Sequence, residues 1–87
     1  MRIDEIIATI RTFIRERFQV SPTDTEFTDD VHIFDYGYVD SFGAAQIIDF
    51  IRDRFGVVIS DQDLVLYPLN TVREIATLVE QRLGGTP

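Results

Sequence analysis

Three segments of this 87-residue sequence carry apolar residues at the three- and four-residue spacing of one helix face. No segment shows the alternation of apolar and polar residues that is typical of a strand. A helix with a single apolar face is stable only when that face packs against another element, so the pattern predicts an all-α bundle. The predicted core faces are Ile3, Ile6, Ile7, Ile10, Phe13 or Ile14, and Phe18; Ala44, Ile47, Ile48, Ile51 and Phe55; and Val72, Ile75, Val79 and, as a last candidate, Leu83.

The first two helices have recognisable ends. Ser21-Pro22 is expected to stop the first helix, because proline cannot continue its hydrogen-bond ladder. Ser41 is an acceptable N-cap for the second helix, and Gly56 is a suitable residue to end it. Residues 21–40 then form a long loop, which we expect to be ordered because apolar side chains can anchor it in the core. The expected anchors are Val31, Ile33 and Phe34.

The remaining helices begin with capping boxes, in which a Ser or Thr and an acid three residues later satisfy each other's backbone N–H groups. A short third helix and a longer fourth helix follow from them. The sequence therefore predicts a single domain, residues 1–87, built as a small four-helix bundle of three main helices and one short helix, with residues 84–87 as a flexible tail. The boxes are Ser60 with Asp63 and Thr71 with Glu74; the stops are Pro68, beyond a helix reaching about Leu66, and Gly84-Gly85.

The negative charge is concentrated in one part of the sequence. The chain has 15 acids and eight basic residues, and seven of the acids fall between Phe18 and Ile51, where there is no base. Such a surface repels phosphate backbones, which argues against a nucleic acid partner. It favours basic partner proteins, although an acidic loop can also serve only to keep a small protein soluble. The seven acids are Asp24, Glu26, Asp29, Asp30, Asp35, Asp40 and Asp49.

The residue inventory argues against catalysis by this chain alone. Cysteine and lysine are absent, the one histidine is His32, and there is no glycine-rich phosphate loop. The acidic loop lacks the EF-hand ligand pattern, since apolar residues fall where oxygen ligands are needed, so we expect no metal site. The start of the chain, MRIDEIIATIRTF, is interrupted by charges and predicts neither a signal peptide nor a membrane span. We therefore expect a non-catalytic, cytoplasmic protein without membrane insertion.

The segment GYVDSF, residues 37–42, places a serine at the start of the second helix with no strong base near it in sequence. A phosphate group attached to Ser41 would lie in the favourable field of the free N–H groups of the helix. The position therefore predicts a site on which another protein acts. Four residues fall on the helix face opposite the apolar stripe, where the ring of Phe42 either contacts a partner or folds back over the loop. These predicted partner-recognition residues are Phe42, Ala45, Gln46 and Asp49.

The stretch DYGYVDSFGAAQII, followed by FGV and by PLNTVREIATLV, resembles the acyl and peptidyl carrier protein family across nearly the whole chain. The resemblance implies a four-helix bundle whose Ser41 receives 4′-phosphopantetheine from coenzyme A through a magnesium-dependent phosphopantetheinyl transferase. It also implies that Asp40 lies near the metal ion of that transferase. The thiol of the attached arm, and not the protein, would hold a cargo as a thioester. A chain without cysteine could then take part in group transfer, because the thiol is imported and partners supply the catalysis.

The motif around Ser41 is closer to one branch of that family. Two residues separate Gly37 from Asp40, and Gly43 stands where fatty-acid synthase carriers usually have an acid. Both features are similar to D-alanyl carriers and other stand-alone aminoacyl carriers. We therefore expect a monomeric carrier of an activated acyl or aminoacyl group in a specialised pathway, served by a loading ligase and a downstream acyl-transfer enzyme. The alternative is an acidic helical docking or regulatory domain that remains unmodified.

Overall fold

The computed structural model describes residues 2–84, which form four α-helices and no strand. The predicted all-α bundle of three main helices and one short helix is confirmed. None of these helices, in the described range, is both long and apolar enough to cross a membrane. Of the predicted tail, Gly84 is the last residue of the fourth helix, and residues 85–87 lie outside the described residues. The helices are α1 (Ile3–Arg17), α2 (Ser41–Phe55), α3 (Asp61–Leu66) and α4 (Val72–Gly84).

The first helix, α1, buries its predicted apolar face and ends earlier than predicted. Of the two alternatives at one turn, Ile14 is fully buried and Phe13 is half-buried. The helix ends at Arg17. Its C-cap is Phe18, whose N–H donates to the Ile14 carbonyl oxygen at 3.0 Å, and the helix goes no further because the next residue, Gln19, has a positive φ of 56°. A residue in the left-handed region cannot continue a right-handed helix. The prediction that Ser21-Pro22 stops this helix is therefore wrong.

The N-terminus of α2 is capped by Asp40 and not, as predicted, by Ser41. The Asp40 carboxylate accepts a hydrogen bond from the Gly43 N–H at 2.7 Å. A carboxylate competes well with a hydroxyl here because its negative charge also lies at the positive end of the helix dipole. Ser41 is consequently the first residue of the helix, and its hydroxyl is not needed for the cap. At the other end Gly56 closes the helix with a φ of 72°, as predicted.

The short helix α3 is held in the bundle by polar contacts. Its predicted capping box is confirmed, with the Ser60 hydroxyl accepting from the Asp63 N–H at 3.1 Å and the Asp63 carboxylate accepting from the Ser60 N–H at 2.9 Å. Arg82 of α4 binds the same carboxylate at 2.6 Å. Asp63 is the buried residue of this helix, whereas Val65 is 84% exposed. A charged anchor therefore fixes α3 and leaves its apolar side chains exposed.

The last helix, α4, buries its predicted face and departs from the prediction at both ends. At its start the Thr71 hydroxyl accepts from the Glu74 N–H at 3.0 Å, whereas the Glu74 carboxylate accepts from the Asn70 N–H. The second bond of the predicted capping box is thus shifted by one residue. Near its end Leu83 is 37% exposed, because the buried stripe stops one turn earlier. The buried residues of this helix are Val72, Ile75, Ala76, Leu78 and Val79.

The long segment between α1 and α2 is ordered, as predicted, and ion pairs fix it to α1 and α4. Arg11 of α1 binds Asp29 at 2.7 Å, and Arg73 of α4 binds Asp30 at 2.7 Å. The Ile33 N–H donates to a carbonyl oxygen in the segment that precedes α4. These contacts hold the loop against the bundle, so its end is a firm support for the start of α2. Its buried anchors are Phe27, Val31, Ile33 and Val39, while the predicted anchor Phe34 is half-buried.

Candidate functional site

Ser41 presents a free hydroxyl at the first residue of α2. Its side chain is exposed, and no group in residues 2–84 forms a hydrogen bond with that hydroxyl. The backbone N–H groups of Ser41 and Phe42 also find no acceptor in this range, because the first turn of a helix has no preceding helical carbonyls. An exposed oxygen nucleophile therefore lies beside two free N–H donors, and this combination suits a phosphate group.

The other two serines of the chain have committed hydroxyls. The Ser21 Oγ lies 2.9 Å from the Thr23 Oγ1 and accepts from the Thr23 N–H at 3.2 Å. The Ser60 Oγ accepts from the Asp63 N–H at 3.1 Å, because this serine is the N-cap of its helix. Among the three serines, all of which lie in the described range, Ser41 is thus the one with an unbonded hydroxyl.

Contacts on both sides fix the turn that carries Ser41. Before it, the Val39 N–H donates to the Ile33 carbonyl oxygen at 3.0 Å. Gly37 takes a positive φ of 78° where the loop turns toward α2, a conformation that glycine adopts without strain. After it, the Asp40 cap closes the first helical turn. The serine is therefore presented on a rigid segment.

Asp40 has two carboxylate oxygens, and the cap occupies one of them. Its Oδ1 accepts from the Gly43 N–H, whereas its Oδ2 has no partner in residues 2–84. A free carboxylate oxygen next to Ser41 is available to a cation that a partner brings. Within the same range no group of three or more His, Cys, Asp or Glu side chains is arranged to hold a metal ion.

Gly43 lies where the first turn of α2 touches the preceding loop and the end of α1. It is buried, and a Cβ atom built on it would lie 2.7 Å from the Val39 Cγ1 and 2.8 Å from the Phe18 Cε1. Side chains do not approach each other this closely, so this position accepts glycine alone unless its neighbours move. The glycine that the sequence shows in place of an acid is therefore explained by packing.

Three of the four predicted recognition residues are exposed, and the fourth is tied to α1. Phe42 is 74% exposed, so its ring does not fold back over the loop. Ala45 and Asp49 are exposed at helical spacing from it, and the Asp49 carboxylate lies 3.5 Å from an arginine of the same helix. Gln46 is half-buried, and its side-chain oxygen accepts from the Arg17 Nε at 2.8 Å. The face therefore combines an exposed ring with a polar surface of balanced charge.

Several acids of the acidic stretch form ion pairs or hydrogen bonds that the sequence did not indicate. Asp29, Asp30 and Asp49 pair with arginines that lie outside the stretch. The hydrogen bond from Arg73 lowers the pKa of Asp30 below its ordinary value. Asp24 accepts a hydrogen bond from a tyrosine hydroxyl at 3.0 Å. Three of the seven charges are thus balanced within the fold, which leaves a smaller acidic surface for a basic partner than we predicted.

A small apolar cavity lies beside α2, and the sequence did not predict it. Its volume is about 30 Å³, which is room for little more than a water molecule. Side chains from several separate segments line it, so no local pattern reveals it. The one signal in the sequence is the small side chain of Ala44 within the stripe of larger residues on α2. The lining residues are Phe34, Ala44, Ile47, Ile48, Ile51, Ile59, Leu64, Leu69 and Ile75.

A comparison with known families covers most of the described chain. A family model described as the phosphopantetheine attachment site matches residues 8–79. The chain belongs to this family. Phosphopantetheine attachment domains carry a covalently bound 4′-phosphopantetheine group and are generally non-catalytic, which confirms the cofactor expected from the sequence. No curated protein gives a significant match to the chain.

The residues at the start of α2 fit the phosphopantetheine group of this family. Ser41 offers the oxygen that a phosphodiester needs, and the free N–H groups of Ser41 and Phe42 can donate hydrogen bonds to phosphate oxygens. The helix dipole favours the negative charge of the phosphate. When bound, the group supplies the thiol that the chain itself lacks.

Proposed function

We propose that Ser41 carries the phosphopantetheine group and that the protein is a stand-alone carrier, which holds an activated acyl or aminoacyl group as a thioester for partner enzymes. The observation that supports this site is the unbonded hydroxyl of Ser41. In the transfer, the Ser41 Oγ bonds to the phosphorus next to pantetheine in coenzyme A. The bond from that phosphorus to the nucleotide breaks and releases adenosine 3′,5′-bisphosphate. The serine proton passes to the transferase, because no base of the described chain contacts the hydroxyl.

Asp40 is proposed to serve both the carrier and the transferase. Its Oδ1 holds the first turn of α2 in place through the Gly43 N–H. Its Oδ2 is free to approach the magnesium ion of the transferase, since this oxygen has no partner in residues 2–84. The cation would then be drawn to the position next to Ser41, where the phosphate of coenzyme A must come.

The proposed cargo is an amino acid or a short acyl group. The cavity beside α2 has a volume of about 30 Å³, so a long alkyl chain could enter it only if the helices moved apart. Its lining is apolar, and burying the charged ammonium group of an aminoacyl cargo there would be unfavourable. Such a cargo would stay outside the bundle at the end of the arm. This supports a carrier of the D-alanyl or aminoacyl type in a specialised pathway.

The proposed partners are a phosphopantetheinyl transferase, a loading ligase and a downstream acyl-transfer enzyme, which would share the surface around Ser41. The exposed ring of Phe42 on a rigid helix offers contact area at a low cost in conformational entropy. Beside it Ala45 is small, and Gln46 and Asp49 each lie next to an arginine. We therefore propose that a partner offers an apolar pocket for Phe42 with a polar rim. The cytoplasmic location and the monomeric state stay predictions.

Co-expression with a broad-specificity phosphopantetheinyl transferase, followed by intact-mass measurement, tests the attachment site. We expect the wild type to gain the mass of one phosphopantetheine group and Ser41→Ala to gain none. The variant should keep its fold, because the hydroxyl makes no contact in the described chain. Ser21→Ala and Ser60→Ala are matched controls, and both should still gain one group. Peptide mapping of the wild type should place the group on Ser41.

Two outcomes would refute the proposed function. One is a Ser41→Ala variant that still gains the group, and the other is a wild type that never gains it. The second outcome would favour the unmodified docking or regulatory domain. If the group is found, the intact mass of the protein taken from its native host identifies the cargo on the arm.

A further inference from the structure

The first turn of α2 lies so close to its neighbours that position 43 has no room for a side chain. A Cβ atom on Gly43 would lie 2.7 Å from the Val39 Cγ1, 2.8 Å from the Phe18 Cε1 and 3.0 Å from the Phe18 Cζ. Carbon atoms pack best at about 3.5–4.0 Å, so all three approaches are repulsive. A methyl group at this position must displace either the two neighbours or the turn.

Phe18 and Val39, the two neighbours of position 43, are each held in place by further contacts. The Phe18 ring meets Phe13 edge-on with centroids 6.2 Å apart, and Phe13 stacks on Phe50 of α2 with centroids 4.0 Å apart. Val39 is buried, its branched side chain has little rotational freedom, and its N–H is hydrogen-bonded within the loop. The exposed turn that carries Ser41 has no such support on its outer side. The turn is therefore the part that would move.

We propose that Gly43 is a positioning residue for the transfer onto Ser41, an inference that rests on the proposed function. The missing side chain lets the serine-bearing turn lie directly against Phe18 and Val39 while the Gly43 N–H keeps its 2.7 Å bond to the Asp40 carboxylate. A side chain at position 43 would lift this turn and move the Ser41 Oγ. Transfer requires that oxygen to be aligned with the phosphorus, and a displacement of about 1 Å can lower a rate about 100-fold.

A double-mutant cycle on Gly43 and Phe18 tests the proposal. Gly43→Ala should lower kcat/KM for phosphopantetheinyl transfer at least ~10-fold, measured with purified transferase and coenzyme A well below the melting temperature. Phe18→Leu deletes the two ring atoms that lie nearest to position 43. In that background Gly43→Ala should lower kcat/KM by no more than about threefold, because only the 2.7 Å approach to the Val39 Cγ1 remains and the turn can move away from it into the vacated space.

Ala76→Gly is the control for a loss of stability without displacement of the turn. Ala76 is buried in α4, outside the first turn of α2. Its replacement by glycine should lower the melting temperature, because a buried methyl group is lost and glycine is a poor helix former. It should leave kcat/KM for the transfer within about twofold of the wild type, since Ser41 stays in place.

A second measurement follows the turn without any transferase. In ¹H–¹⁵N NMR spectra, Gly43→Ala should shift the amide resonances of Ser41 and Phe42 by more in the wild-type background than in the Phe18→Leu background. Shifts of equal size in the two backgrounds overturn the proposal. If the wild type is never modified, the proposed function fails by itself, while this measurement still decides whether Gly43 sets the position of the turn.

The kinetic measurements on the double-mutant cycle can also contradict the proposal. A Gly43→Ala variant that is modified as fast as the wild type overturns the proposal, and so does a loss that Phe18→Leu fails to relieve. Should Gly43→Ala not fold by itself, the comparison made within the Phe18→Leu background decides. A loss of about tenfold or more in that background would mean that the close contact with Phe18 is not the cause.

Discussion

Asp40 and Ser41 are neighbours with separate roles at the start of α2. Asp40 provides the acceptor for the Gly43 N–H, and the Ser41 hydroxyl consequently has no bond in the described chain. A serine that caps its own helix has a bonded oxygen, as Ser60 shows at the start of α3. The change of capping residue from serine to aspartate is therefore what leaves Ser41 available to a partner.

Two replacements of Asp40 separate the contribution of its capping hydrogen bond from the contribution of its negative charge. Asp40→Asn keeps an acceptor oxygen, so the free energy of unfolding should change by less than ~0.5 kcal/mol, whereas Asp40→Ala should lose about 1 kcal/mol. If the free Oδ2 faces the magnesium ion of the transferase, both variants should lose at least ~10-fold in kcat/KM for the transfer. Urea unfolding and transferase kinetics measure the two effects. A normal transfer rate for Asp40→Asn would show that the charge has no part in the reaction.

At the scale of the helices, the apolar faces could be predicted because their spacing is a local property of the sequence. Ile10 and Ile51 lie in the core for this reason, and the Ser60–Asp63 capping box was equally local. The end of α1 could not be predicted, because it depends on the left-handed backbone of Gln19, a residue type that does not signal a stop. The cap of α2 was missed because Asp40 and Ser41 are both good capping residues and adjacent.

The second helix, α2, has one face for the core and one for partners, and a pair of alanine variants separates them. Ile51 is 0% exposed, so Ile51→Ala should lower the free energy of unfolding by about 2–5 kcal/mol. Phe42→Ala removes a ring that is largely exposed and should lower it by less than ~1 kcal/mol. The same Phe42 variant should lose at least ~10-fold in kcat/KM for modification, because a partner loses its aromatic contact.

Melting curves and transferase kinetics on both variants decide between the two roles. Modification of the Ile51→Ala protein that remains folded should be close to that of the wild type. If Phe42→Ala instead melts like a core deletion, the two faces of α2 have been assigned the wrong way round.

At the scale of the whole molecule, ion pairs between distant segments complete the fold. Asp63 is buried against Arg82, 2.6 Å away. The hydrogen bonds from Arg82 and from the Ser60 N–H lower the pKa of Asp63 from 3.8 to about 2. Because this pKa is lower in the folded state than in the unfolded state, the pair stabilises the fold fully above about pH 4. Its contribution is lost as the pH falls from there through about 2.

Asp63→Asn should remove this part of the acid dependence. At pH 7 it should lower the melting temperature by more than Asp49→Asn, whose ion pair with Arg52 is exposed and contributes little. Between about pH 4 and pH 2 the stability of the wild type should fall more steeply than that of Asp63→Asn. Urea unfolding at several pH values measures both slopes. Parallel curves would mean that other carboxylates account for the acid sensitivity.

The ion pairs of the acidic stretch could not be predicted from the sequence. The seven-acid stretch is visible in the sequence, but two of the three arginines that balance part of it, Arg11 and Arg73, are not adjacent to it. Arg11 and Arg73 meet Asp29 and Asp30 only after α1 and α4 have packed around the loop. The cavity beside α2 was missed for the same reason, since its lining comes from segments that only the fold brings together.

The loop that leads to Ser41 is held by residues that are synthesised much later. Asp30 binds Arg73, which follows it by 43 residues, and the Ile33 N–H binds the Asn70 carbonyl oxygen. A ribosome therefore produces Ser41 well before it has made the residues that fix the loop in front of it. An enzyme that recognises the ordered turn would act on finished chains and pass over those still being translated, so the order of synthesis itself sets when the protein can mature.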